Sequence, residues 1–207
     1  ATVYLEGPYE SRSAYDARLE SEGASFLGEE VLSWNDSASL PLLPSDKSVG
    51  VFAQLRKAPR LDQDALGEWR ARPHAELHAT NDKKDRATGQ VLMDLESAEC
   101  PEGFWPVYKG ESFDLWTPDT GTYYAWGDPA CLLPRLQAKR VRGNRSTRSV
   151  FSECDASWCA DPRTIPCLHP RVAFRDIARS TDSRTVRCAL LPPRVFVTNK
   201  GPYLLFP

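Results

Sequence analysis

The chain has 207 residues, 41% apolar and 26% charged, enough for one large domain or two small lobes with a buried core. No apolar run approaches the roughly 20 residues of a membrane helix and the N-terminus lacks the basic-then-apolar layout of a secretory signal, so a cytoplasmic location is expected. The formal charge of -2 conceals an asymmetry: residues 1–133 hold 12 Lys+Arg against 23 Asp+Glu, net -11, and residues 134–207 hold 14 against 5, net +9. A basic half of that size points to an anionic partner met by one face, with mutual attraction of two oppositely charged lobes as the plainer alternative. The chain starts at Ala1 and has one methionine, Met93, which fits a processed start or a segment of a larger protein.

In chain order, Val3-Tyr4-Leu5 predicts a first strand and Val31-Leu32-Ser33-Trp34 a second. Leu40-Pro41-Leu42-Leu43-Pro44 reads as an extended connector, because each proline biases its predecessor away from helix. Ser45 suits an N-cap, and Val49, Phe52 and Leu55 share one face, which predicts a helix over 46–57 ended by Pro59. Residues 61–84 are polar and broken at Arg72-Pro73. His74 and His78 stand four apart, but Pro73 and the lack of an intervening glutamate argue against HExxH chemistry and for exposed histidines. Asp64 with Asp82-Lys83-Lys84 faintly matches the carboxylates and lysine of metal-dependent nucleases, where acids hold the ion that activates water; such triplets are common in surface turns.

From Phe104 to Trp126 the chain is aromatic, and the turn signals Lys109-Gly110 and Pro118-Asp119-Thr120-Gly121 cut it into short strands of a small sheet. Core packing claims most of these rings, leaving one or two to wedge or stack against bases. Arg135, Lys139, Arg140, Arg142, Arg145 and Arg148 then form a run without acids that can track a phosphate backbone, as a short helix and a loop broken at Gly143-Asn144; a solvated flank is the alternative. Cys154, Cys159, Cys167 and His169 could supply four zinc ligands, yet the paired Cys-x2-Cys spacing is missing and reduced core thiols are the competing reading. Val172, Phe174 and Ile177, then Val186, Cys188 and Leu190, alternate with polar residues and predict two half-buried strands around a polar turn. Arg175, Asp176, Arg179, Thr181, Asp182, Arg184 and Thr185 crowd into that first strand and turn, and guanidinium forks suit phosphates and guanine edges.

Phe174-Arg175-Asp176-Ile177-Ala178-Arg179 with Thr181-Asp182-Ser183-Arg184-Thr185 resembles the "RDIxRxTxxRT" signature in the specificity region of large bacterial DNA adenine methyltransferases. These are the type IIG fused restriction-modification enzymes and the methylases of phage-defence systems. Trp105-Pro106-Val107-Tyr108-Lys109-Gly110 and Phe113 are similar to that family's "PLYEGKMIxxFDHR" segment, departing from it at Lys109 and at Asp114-Leu115-Trp116. Leu77 to Lys83 is similar to scaffold of the same methylases.

The resemblance implies a target-recognition region that engages double-stranded DNA, joined to a catalytic methyltransferase domain in the same polypeptide. S-adenosylmethionine is implied for the parent enzyme and no cofactor for this chain. No two glycines stand one residue apart, and the Pro192-Pro193 pair lacks the flanking amide and ring that grip a flipped adenine. The chain itself is therefore expected not to be an enzyme.

The expected fold is α+β, a sheet-rich mixture with short helices in two lobes: an acidic one over 1–100 and a basic DNA-recognition lobe over 101–207. Arg135, Lys139, Arg140, Arg142, Arg145 and Arg148 are assigned to phosphates. Arg175, Arg179, Thr181, Asp182, Arg184, Asn199 and Lys200 are assigned to the reading surface, with an Arg175–Asp176 structural ion pair as the competing role for Arg175. The alternative function is a protein-interaction lobe of a phage-defence assembly that makes no direct DNA contact.

Overall fold

The computed structural model describes residues 1–5, 9, 11–18, 24–34, 40, 46–63, 69–85, 87–179 and 182–206. Within them the chain is a mixed α+β fold with three sheets. It divides into two compact units, Ala1–Arg60 and Leu61–Pro207. The lobe boundary expected near residue 100 falls inside the second unit, where strands from residues 72–94 pair with later ones.

In the first unit, β1 (Thr2–Leu5) pairs antiparallel with β2 (Ala24–Leu27), and α1 (Arg12–Arg18) lies between them in sequence. The strand expected at 31–34 is instead the end of a helix, α2 (Gly28–Leu32), and the turn after it. Glu29 and Glu30 in the first turn complement the positive end of the helix, and Val31 turns into the core. The helix expected over 46–57 is α3 (Asp46–Leu55), whose Val49 and Phe52 pack with Phe26, Val31 and Trp34 while Leu55 stays exposed. Trp34 meets Phe26 and Phe52 edge-on at 4.9 and 5.0 Å, and the Arg56 guanidinium covers its ring. Ser45 and the connector's residues 41–44 lie outside the described residues.

The second unit runs β3 (Arg72–His74), β4 (Met93–Asp94), β5 (Trp105–Tyr108), β6 (Ala125–Gly127), α4 (Pro129–Asn144), α5 (Ala156–Ala160), β7 (Arg171–Phe174), β8 (Cys188–Leu191), β9 (Phe196–Val197) and β10 (Tyr203–Leu205). One sheet has the order β3-β10-β7-β8 and is antiparallel throughout. The other, β4-β6-β5-β9, has a single parallel pair, β5 with β9. Pro73 sits in an edge strand, where its missing N–H costs no ladder bond, so the expected break at Arg72-Pro73 is accommodated in a strand. Asp128 caps α4 by accepting from the Ala130 N–H at 2.8 Å, and Pro129 supplies a preset first helical residue.

The two sheets are tied together through Glu76. Its carboxylate accepts from the Val197 N–H at 2.9 Å on β9 and from Arg171 Nη2 at 3.1 Å on β7. Arg171 also donates to the carbonyls of Pro166 and Val195 and lies over the Tyr203 ring. This reverses the expected phase of the paired strands. Two paired strands form as expected, with Arg171 opposite Leu191 and Phe174 opposite Cys188, but Arg171, Ala173, Ala189 and Leu191 face inward. Val172 and Phe174 are only partly covered, and Leu190, Ile177 and Val186 are exposed.

His74 corrects another expectation, since it packs between the rings of Phe151 and Tyr203 at 4.7 and 5.6 Å rather than lying exposed. Burial, then the Lys139 charge, lowers its pKa from 6.5 to about 4. The unfolded chain therefore takes up a proton below pH 6.5 that the folded chain refuses, so stability falls as the pH drops from 6.5 towards about 4. Urea unfolding between about pH 7 and pH 4 is expected to lose about 2 to 3 kcal/mol more in the wild type than in His74→Phe, which cannot titrate.

Candidate nucleic-acid interface

Three segments converge on an open cleft of about 390 Å³ lined by Lys109, Glu111, Arg175, Arg179, Asp182 and Lys200. The first is the turn after β5, Lys109 to Ser112. The second is the Thr198–Gly201 turn that carries the chain from β9 in one sheet to β10 in the other. The third is the loop of residues 175–187 between β7 and β8. They are held close: a Cβ on Gly110 would stand 2.9 Å from the Lys200 carbonyl oxygen, and one on Gly201 would stand 2.9 Å from the Phe113 ring. Glycine at both positions is what lets the turns touch.

The stems of the 175–187 loop are fastened from outside it. Arg175 donates to the Phe113 carbonyl at 2.9 Å and pairs with Asp114 at 3.4 Å, and Arg187 donates to the same Asp114 carboxylate at 2.9 Å. The partner of Arg175 is thus Asp114, not Asp176. Asp182 accepts from the Arg179 N–H at 2.9 Å and pairs with Arg187 at 3.5 Å, which braces the loop and sets its carboxyl below the ordinary range. Arg179 and Arg184 are exposed, and neither side chain makes a hydrogen bond or close ion pair among the described residues, although the Arg179 charge lies near enough to Glu111 and Asp182 to help lower their carboxyls. Thr181 lies outside the described residues. Asn199 accepts from the Ala79 N–H at 3.0 Å, and Lys200 is exposed at the cleft.

The basic run on α4 is divided by the helix itself. Arg140, 2% exposed, points inward: its five N–H donors are met by the carbonyls of Cys159, Asp161 and Thr164, the Thr164 hydroxyl and Gln137, with Trp158 stacked on the guanidinium. It is withdrawn from phosphate contact. Lys139 donates to the Glu76 carbonyl at 2.8 Å, and burial lowers its pKa against the opposing pull of Asp82 and Glu76. Arg135 pairs with Asp82 and Asp85. That leaves Arg142, Arg145 and Arg148 exposed. Arg135, Lys139 and Arg142 line a second cleft, of about 330 Å³, together with Glu76 and Asp82.

The metal-ligand patterns are not assembled. Among the described residues no group of three or more His, Cys, Asp or Glu side chains could hold an ion. Cys154 and Cys159 lie in one core cluster, Cys167 in the other, and the His169 ring bonds the Arg163 carbonyl at 2.7 Å. Burial raises all three thiols, Cys154 to about 11, so they are poor nucleophiles. Asp82 accepts from the His78 N–H and pairs with Arg135, and Asp64 lies outside the described residues.

Two residues absent from the assigned set stand out. Lys109 lines the cleft, in an ion pair with Glu111 at 2.9 Å, and Trp116, two residues past the Asp114 anchor, is 90% exposed. The signal that could have found them was the departure of these positions from the segment the sequence resembles, where an acid and a basic tripeptide are usual. No helix among the described residues is long and apolar enough to cross a membrane. Compared with family models, with curated proteins and with solved structures, the chain matches none.

Proposed function

We propose that this chain is the sequence-recognition region of a bacterial restriction-modification or phage-defence DNA adenine methyltransferase. It holds double-stranded DNA while a catalytic domain elsewhere in the polypeptide supplies S-adenosylmethionine chemistry. The carrying observation is the 175–187 loop: Arg175 and Arg187 are spent on its stems at Asp114, which leaves Arg179 beside Lys109 and Lys200 at the cleft and Arg184 exposed. Rigidly based guanidinium forks are what base-edge reading requires, with each bidentate pair worth about 1–3 kcal/mol of discrimination. Arg142, Arg145 and Arg148 serve as phosphate contacts. On this reading methyl transfer belongs to that catalytic domain, and this chain contributes recognition.

Duplex binding by the 207-residue chain, followed by anisotropy across a salt series, tests this. The expected result is a steep fall of affinity with salt. Alanine at Arg142, Arg145 and Arg148 together should remove about 2 to 3 from the log–log slope and cost on the order of a hundredfold at low salt. Arg184→Ala alone is expected to relax preference at one base position, read by selection from random duplexes, with the fold unchanged. Wild-type site choice in that variant would take Arg184 off the reading surface.

One observation favours the interaction-lobe reading. Val172, Leu190, Leu204 and Phe206 line a largely apolar groove of about 440 Å³ with Trp158. Binding to a protein partner with no duplex binding at any salt would support that reading and remove the first. Metal-dependent cleavage abolished by Asp82→Ala would replace both with a nuclease.

A further inference from the structure

Asp114-Leu115-Trp116-Thr117 closes a tight hairpin in which the Asp114 and Thr117 N–H groups each donate to the other residue's carbonyl at 2.9 Å. Trp116 takes the left-handed region there, with φ +61°. A side chain with a Cβ pays about 1–2 kcal/mol for that conformation, which glycine would avoid. The indole gains nothing from folding in return, being 90% exposed. Strain and a large bare aromatic at one residue mark a contact surface more often than a packing site.

What surrounds it narrows the partner. The hairpin starts at the carboxylate that anchors Arg175 and Arg187, the two stems of the loop carrying Arg179 and Arg184. An aromatic face next to a concentration of guanidinium groups suits a polyanion whose units have flat π faces. An apolar protein surface would have to bury those charges.

We infer that Trp116 stacks on an unpaired or unstacked base of nucleic acid lying along the cleft of Lys109, Arg179 and Lys200. This deepens the recognition reading and rests on it. In the complex the hairpin holds one base out of the duplex stack at the edge of the reading loop. Paired and unpaired sites are then told apart by a ring that carries no charge.

The probes are a short duplex and the same duplex carrying a single-base 2-aminopurine bulge. The 207-residue chain is expected to bind the bulged probe about tenfold more tightly than the paired one and to quench its 2-aminopurine emission. Trp116→Ala and Trp116→Gly should lose both the preference and the quenching, and Trp116→Phe should keep most of each. Glycine suits φ +61°, so that variant separates loss of the ring from damage to the turn. If both variants keep the preference and the quenching while all proteins bind the paired duplex, the inference fails and the recognition reading stands. If the parent chain binds neither probe, the recognition reading fails and takes the stacking role with it.

Discussion

Arg171→Ala is expected to destabilise the second unit by about 3–5 kcal/mol in urea unfolding, because it strands a buried carboxylate. Glu76 is 3% exposed, its Oε1 has no hydrogen-bond donor, and burial raises its pKa above 4.5 even with Arg171 and the Val197 N–H pulling the other way. Without Arg171 the pKa rises further. A carboxyl whose folded pKa lies above its unfolded value binds its proton more readily when folded, so the variant recovers stability as the pH falls through that raised pKa towards 4.5. Arg171→Met with Glu76→Leu should restore most of the loss, since neither partner is then left charged in the core. A flat pH dependence of the penalty in Arg171→Ala would show that the pair is not what ties the sheets.

The second large effect is Arg140→Ala, with an expected loss of about 3–5 kcal/mol. Three backbone carbonyls, one hydroxyl and one amide oxygen lose the Arg140 donors together; the Cys159 carbonyl keeps Gln137 and the Asp161 carbonyl keeps the Thr164 hydroxyl, while the Thr164 carbonyl and the end of α5 lose their tie to α4. Arg140→Lys is the discriminating variant. It retains the charge but lacks the planar fork and cannot reach acceptors in several directions at once. If Arg140 held phosphate, lysine would preserve most of duplex binding and all of the stability. The structural role instead predicts that lysine unfolds at clearly lower urea, with the salt slope of binding unchanged in the fraction that stays folded.

Arg140 also explains where sequence reading stopped. Six cations in a stretch without acids look alike until the helix assigns each a direction, and only long-range packing against α5 tells Arg140 from Arg142. The paired strands β7 and β8 were legible because alternation is local. Their inward phase was not, because it is decided by a partner for Arg171 that lies 95 residues away. Val172 and Phe174 look like core by composition, yet a charge-paired arginine takes that side. In the first unit, the apolar cluster around Val31 suits a strand or a helix equally, and Glu29 with Glu30 in the first turn settles it as helix. At the cleft, the resemblance pointed to the arginine-rich turn. It could not reveal that Asp114 holds both its stems, since the partners are separated by more than 60 residues.

That division between anchor and tip bears on how a chain with the proposed reading role would change target. With Arg175, Arg187 and Asp114 securing the stems and Asp182 bracing the bend, the exposed residues 178, 179 and 183–186 can vary without disturbing either sheet. Randomising them around a retained Asp182 amounts to redrafting an address on a fixed plate. Chimeras exchanging only this segment should keep their melting behaviour while acquiring new sites.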